Sequence, residues 1–110
     1  MITRFALFEG TVKPGQEAAF RAAVLDRLVP LWTQFPGATD VRVMFSDDRD
    51  PGAPEFPLIL AISYPDTAAM EGALAAPARA QSRDVTGEIV EAHFDGRIHH
   101  HVTQTHAFAP

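Results

Sequence analysis

Cysteine is absent from the 110 residues, so the chain has no disulfide framework, no thiol nucleophile and no thiolate metal ligand. Cations are scarce as well. Nine Lys and Arg stand against fourteen Asp and Glu, a formal charge of −5, and no stretch gathers the basic residues that a phosphate-tracking surface needs. Nucleic acid is therefore not an expected partner. Long apolar runs are missing too: the longest, Leu58-Ile59-Leu60-Ala61-Ile62, falls far short of the roughly 18 to 20 residues that cross a bilayer. No membrane span or membrane partner is expected. The opening Met1-Ile2-Thr3-Arg4-Phe5 lacks the basic and apolar regions of a signal peptide, which makes the cytoplasm the expected compartment. There is no Gly-rich phosphate loop and no nucleophile elbow, so acyl transfer by a serine or cysteine triad has no support.

What is present suits one globular domain over residues 1–110, with 46% hydrophobic residues and room for a single core. Ile2 to Val12 reads as a strand closed by the turn signal Lys13-Pro14-Gly15. Phe20, Val24, Leu28, Leu31 and Phe35 recur at helical spacing from Gln16 to Phe35, and Pro30 inside this helix predicts a kink or break. Thr39 to Ser46 alternates as a second strand, and the acidic, proline-rich segment from Asp47 to Pro57 predicts a solvated loop before a third strand, Leu58 to Tyr64. Asp66 reads as a helix N-cap, Ala68 to Ala76 as a short helix, and Pro77 as the first residue of a second piece whose inner face carries Ser82, Val85 and Ile89. Asp95-Gly96 predicts a turn and Arg97 to Thr105 the fourth strand.

The order βαββαβ, with right-handed crossovers, predicts an α+β ferredoxin-like antiparallel sheet with its helices on one face. Strands one and three do not alternate but are apolar at nearly every position, the mark of strands covered on both faces. A second copy of the sheet, stacked about a two-fold axis, is the expected cover, which makes the partner another copy of the chain.

At the level of RFALFEGTVKPG, VPLWTQFPG, the YPD helix entry, the ALAAPAR break and the closing FDGRIHHHV, the chain resembles the dimeric α+β barrel superfamily, and within it the EthD-like branch. The resemblance implies a homodimer formed through one sheet face, and a cavity for small apolar or aromatic molecules between the helices and the other face. Different members isomerise lactones, cyclise polyketides, oxidise quinols without cofactors, degrade haem or have no known activity. Two departures stand out. Many EthD-like sequences read His-Ala-Pro-Leu where this chain has Leu28-Val29-Pro30-Leu31, and cyclases can carry Pro-Ala-His where it has Pro77-Ala78-Arg79. All five histidines lie between His93 and His106, so the helical axial ligand of haem-degrading relatives is missing and no cofactor is expected.

The concentrated chemical feature is His99-His100-His101 on the last strand. Alternation puts His99 and His101 on one face, roughly 7 Å apart at Cα, and His100 on the other. His99 and His101 could ligate a divalent metal if Glu9, His93, Asp95 or His106 joined them, and any of the three is a candidate general acid or base. The bland alternative is a set of hydrogen-bonded histidines at a strand end and dimer seam. If the face of Ile98 and Val102 meets the helices, His100 enters the cavity; if the strand is aligned one residue differently, His99 and His101 do. Arg4, which shares a face with Ala6 and Phe8, is a candidate for holding an aromatic acid, as are Arg42 and Arg79. Phe8, Trp32 and Tyr64 are candidates to pack on or hydrogen-bond a ligand, although Trp32 at helical spacing also suits the core. The loop Asp47-Asp48-Arg49-Asp50-Pro51-Gly52 lacks the ligand spacing of a calcium loop. The leading expectation is cofactor-independent proton transfer on a cyclic or aromatic molecule; the rivals are a non-catalytic binding protein and a metal enzyme using His-x-His.

Overall fold

A computed structural model describes residues 1–110. Its elements run β1 (Ile2–Val12), α1 (Glu17–Ala23), a π-helical turn (Val24–Leu28), α2 (Val29–Trp32), β2 (Asp40–Phe45), β3 (Leu58–Tyr64), α3 (Thr67–Leu74), α4 (Pro77–His93) and β4 (Phe94–Gln104). The four strands form one antiparallel sheet in the order β2-β3-β1-β4, which is the expected ferredoxin-like arrangement. No helix is long and apolar enough to cross a membrane.

Pro30 has the disturbing effect expected of it, and the form of the disturbance is now visible. Its ring would crowd the carbonyl four residues back, so the chain widens into the π-turn just before it, where the Val29 amide donates to the Val24 carbonyl. The helical segment continues to Trp32 with Phe20, Val24, Leu28 and Trp32 buried along one side. Asp66 caps α3 by accepting from the Ala69 amide at 2.8 Å. Pro77 opens α4 as its first residue, where no backbone donor is needed.

The expected turn at Asp95-Gly96 is not found. Helix α4 passes into β4 at Phe94, and Asp95 and Gly96 lie within the strand, opposite Thr11 and Gly10. Glycine serves close approach here rather than turning. A Cβ on Gly96 would stand 2.1 Å from the Glu9 carbonyl oxygen, and one on Gly10, at φ +148°, 2.2 Å from that of Asp95. This facing pair fixes the β1–β4 register, and with it Ala6 opposite His100.

On the helix side, the end of the sheet near this glycine pair is filled by aromatic rings. Phe94 stacks on Phe20 at 5.9 Å between centroids and meets Phe8 edge-on at 6.0 Å. Burying each such ring contributes roughly 1.5–3 kcal/mol. The other sheet face carries the cross-strand rows Met44-Ile59-Leu7-His99 and Arg42-Ala61-Phe5-His101. Its middle is apolar, with Met44 and Arg42 flanking it on β2 and histidines on β4, so the two-sided apolar character expected of the sheet belongs to β1 and β3.

Candidate functional site

Between α4 and the opposite end of the sheet lies a cavity of about 540 Å³. Its floor is made by Arg4, Ala6 and Phe8 of β1, Leu60, Ile62 and Tyr64 of β3, and Ile98 and His100 of β4. Trp32 and Phe35 close one side. Helix α4 forms the opposing wall with Arg79, Ser82, Arg83, Thr86, Gly87 and Val90. The hollow exists where bulk is withheld: Ala6 is the small residue of the floor, and the space beside Gly87 is open.

The helix wall follows from where α4 starts. With Pro77 as first residue, the 3.6-residue period brings Arg79, Arg83, Thr86 and Val90 into one stripe beside the inner stripe of Ser82, Val85 and Ile89. Ser82 donates to the Arg79 carbonyl at 2.8 Å and Thr86 to the Ser82 carbonyl at 2.7 Å, so these hydroxyls are satisfied within the helix.

The charged groups are not satisfied in that way. No Asp or Glu lines the cavity. Arg4, Arg79 and Arg83 form no salt bridge, in contrast to Arg21, Arg27, Arg42, Arg49 and Arg97, each of which has a carboxylate within 3.5 Å. Arg79 reaches only the Leu74 carbonyl, at 3.5 Å. No fully buried side-chain nitrogen or oxygen lacks a partner, so the free ends in this cavity face accessible space.

The electrostatics follow from this crowding. Burial lowers the pKa of Arg4, Arg79 lowers it further, and Tyr64 works against both. Tyr64 is buried, and that burial raises its phenol above its ordinary value against the pull of Arg4 and Arg79, so the hydroxyl stays protonated. The His100 imidazole is lowered to about 4, first by loss of water around the ring and then by the charges of Arg4, Arg79, Arg83 and His99. As a residue His100 is exposed at the cavity mouth, which limits how dry its ring can be; the four charge contributions act in the same direction. The ring is neutral at neutral pH.

Arg4, Phe8, Trp32, Tyr64 and Arg79, singled out from the sequence, all line this one cavity together with His100. His99 and His101 lie on the opposite sheet face. There Glu9 accepts from Arg97 at 3.2 Å and pairs with His99 Nε2 at 2.8 Å, and hydrogen bonds to His99 and then Arg97 hold its carboxyl below the usual range. No three His, Asp or Glu side chains converge in a metal-holding group. His93 pairs with Gln16 at 2.8 Å, and the exposed Arg42 binds Asp40 at 2.6 Å, outside the cavity. Sequence reasoning missed Arg83 and Phe35. The signal for Arg83 was its spacing of four from Arg79 with no acidic residue three or four positions from either.

A second hollow, of about 430 Å³, lies along the acidic loop and is polar. Its arginines are neutralised, Arg21 by Asp47 at 3.5 Å and Arg49 by Glu55 at 3.3 Å. Its excess charge has the opposite sign to that of the first, with Glu17, Asp47, Asp48, Asp50 and Glu55 against two arginines.

The architecture and the cavity between helices and sheet define an α+β protein with the fold of the dimeric α+β barrels. Among solved structures, an EthD family protein from Bacillus halodurans superposes with a TM-score of 0.71 at 18% identity, over 96% of this chain and 99% of its own. SnoaB, a cofactor-independent oxygenase from Streptomyces nogalater, gives 0.64 at 17% identity over 99% and 97%. A dimeric ferredoxin-like protein of unknown function from Jannaschia gives 0.65 at 16% over 94% and 98%. At these identities the likeness is one of fold. No family model and no curated protein sequence matches the chain.

Proposed function

We propose that the protein binds a small cyclic or aromatic acid in the α4–sheet cavity and moves a proton on it with His100, without a cofactor. The observation that carries this reading is three arginines with no acidic partner around an aromatic-walled cavity that also holds a neutral imidazole. An apolar ring suits Phe8, Trp32, Phe35 and Ile62, and an acid group suits the arginines. A neutral imidazole takes a proton from a ring carbon activated by conjugation, the electron pair moves into the conjugated system, and the imidazolium returns that proton, or one exchanged with water, to the same or another carbon. Arg4, Arg79 and Arg83 stabilise the charge that develops. The bound anion offsets their field at His100 and so strengthens the base when a ligand is present. The oxygenase and the antibiotic biosynthesis monooxygenases among the similar structures support small-molecule chemistry on this fold.

The low basicity of the free His100 favours one rival, a cavity that binds its ligand and leaves it unchanged. Cyclic keto acids and hydroxyaromatic acids that raise the melting temperature are to be incubated with the protein in D₂O and followed by NMR. Deuterium uptake at a ring carbon, lost in His100→Ala and kept in Arg27→Gln, is the expected result. Binding without exchange for every acid tried would establish the non-catalytic rival.

The partner expected from the apolar middle of the second sheet face is another copy of the chain. Phe5, Leu7, Ile59 and Ala61 present that surface, and two similar structures are described as dimeric. A stable interface needs roughly 1,000 Å² of buried surface, which a face-to-face stack of two such sheets is expected to supply.

A further inference from the structure

Resting on the reading of the cavity as an acid-binding site, we infer that its ligand carries at least two negative charges, and that Arg79 and Arg83 form a paired clamp for one acid group across the cavity from Arg4. The argument starts from what the free protein gives up. Arg79 and Arg83 are four residues apart on one helix, where like charges repel at close quarters. Arg79 lies in the first turn of α4, where the helix dipole disfavours cations, and that turn contains no acidic residue to compensate. Arg4 approaches from the sheet, and its charge and that of Arg79 already oppose one another. Three guanidinium groups therefore converge on one hollow in a chain whose net charge is −5.

Elsewhere in the molecule the chain pairs its arginines with carboxylates, even where the arginine is exposed, as with Arg42 and Asp40. The failure to do so here is local, and a single carboxylate leaves two of the three cations uncompensated. A guanidinium fork matches a carboxylate or phosphate through two parallel hydrogen bonds, so the two walls can hold two acid groups or the several oxygens of one phosphate. The Tyr64 hydroxyl, protonated and between Arg4 and Arg79 in influence, supplies a neutral donor to the same anion.

Isothermal titration at pH 7 and low salt with benzamide, benzoate, the three benzene dicarboxylates and phenyl phosphate tests this. At least one dianion should bind tenfold or more tightly than benzoate, and benzamide more weakly than benzoate. Whether a dicarboxylate or phenyl phosphate leads tells two separate groups from one. Arg83→Gln should shrink the dianion advantage at least fivefold, Arg83→Lys, which keeps the charge and loses the fork, should shrink it less, and Arg27→Gln, whose arginine pairs with Glu88 outside the cavity, should leave it intact. Both Arg83 variants change an exposed side chain, and circular dichroism melts confirm that they are folded. Benzoate binding as tightly as every dianion, or an undiminished advantage in Arg83→Gln, overturns this inference and leaves the acid-binding reading standing. If neither benzoate nor any dianion binds, both fall.

Discussion

Residue by residue, the site depends on what has been left unpaired. His100 has the clearest signature. Its folded pKa of about 4 lies below the ordinary value near 6.5, so between those two pH values the unfolded chain binds the proton more readily. Its contribution to stability is whole above about pH 6.5 and is lost as the pH falls towards 4. Melting temperature should therefore drop over that window, and His100→Gln should flatten the drop; superimposable slopes for the two proteins would contradict the placement of His100 among the arginines. The candidate site was partly legible from sequence. Arg4 and Phe8 were singled out because they share a strand face with Ala6, Arg79 by its place at the Pro77 helix break, and Trp32 and Tyr64 as rings able to stack on or hydrogen-bond a ligand. Arg83 was not, since a helix arginine ordinarily reaches water and only the lack of an acidic neighbour marks it. The histidine facing the cavity was not legible either. Its parity depends on the β1–β4 register, and two ordinary-looking glycines set that.

At the scale of elements, the strands and helices could be read from periodicity and turn chemistry to within a few residues. The Asp95-Gly96 turn could not, because the same dipeptide signals a turn and permits two backbones to touch. The two uses make different predictions. Gly96→Ala places a Cβ against the Glu9 carbonyl oxygen and should destabilise the fold by about 2 kcal/mol or more. Gly87→Ala lies inside α4 with open space beside it and should stabilise by about 0.5–1 kcal/mol, the helix propensity of alanine over glycine. Urea denaturation of both variants checks the pair, and a tolerated Gly96→Ala would show that the strands meet elsewhere. Pro30 announced a disturbed helix. Whether it would kink, break or widen depended on the packing of Val24, Leu28 and Trp32 against the sheet, which no local pattern encodes.

At the scale of the whole molecule, the sheet separates the cavity on one face from the apolar surface proposed for self-association on the other. Leu7 lies in the middle row of the second face between Ile59 and His99. Leu7→Glu should shift the protein from dimer to monomer in sedimentation velocity while the chain remains folded. A monomeric parent would remove the proposal, as would a dimer unaffected by the substitution. The histidine run on β4 spans this division, since consecutive rings fall in different compartments. Substitutions along β4 are therefore graded in effect, whereas length changes are not. One residue inserted between Gly96 and His99 would exchange every ring's compartment at once, bringing two imidazoles into the arginine cavity and taking His100 out of it. The reading frame of this strand, more than the identity of any single histidine, decides which ring meets the arginines.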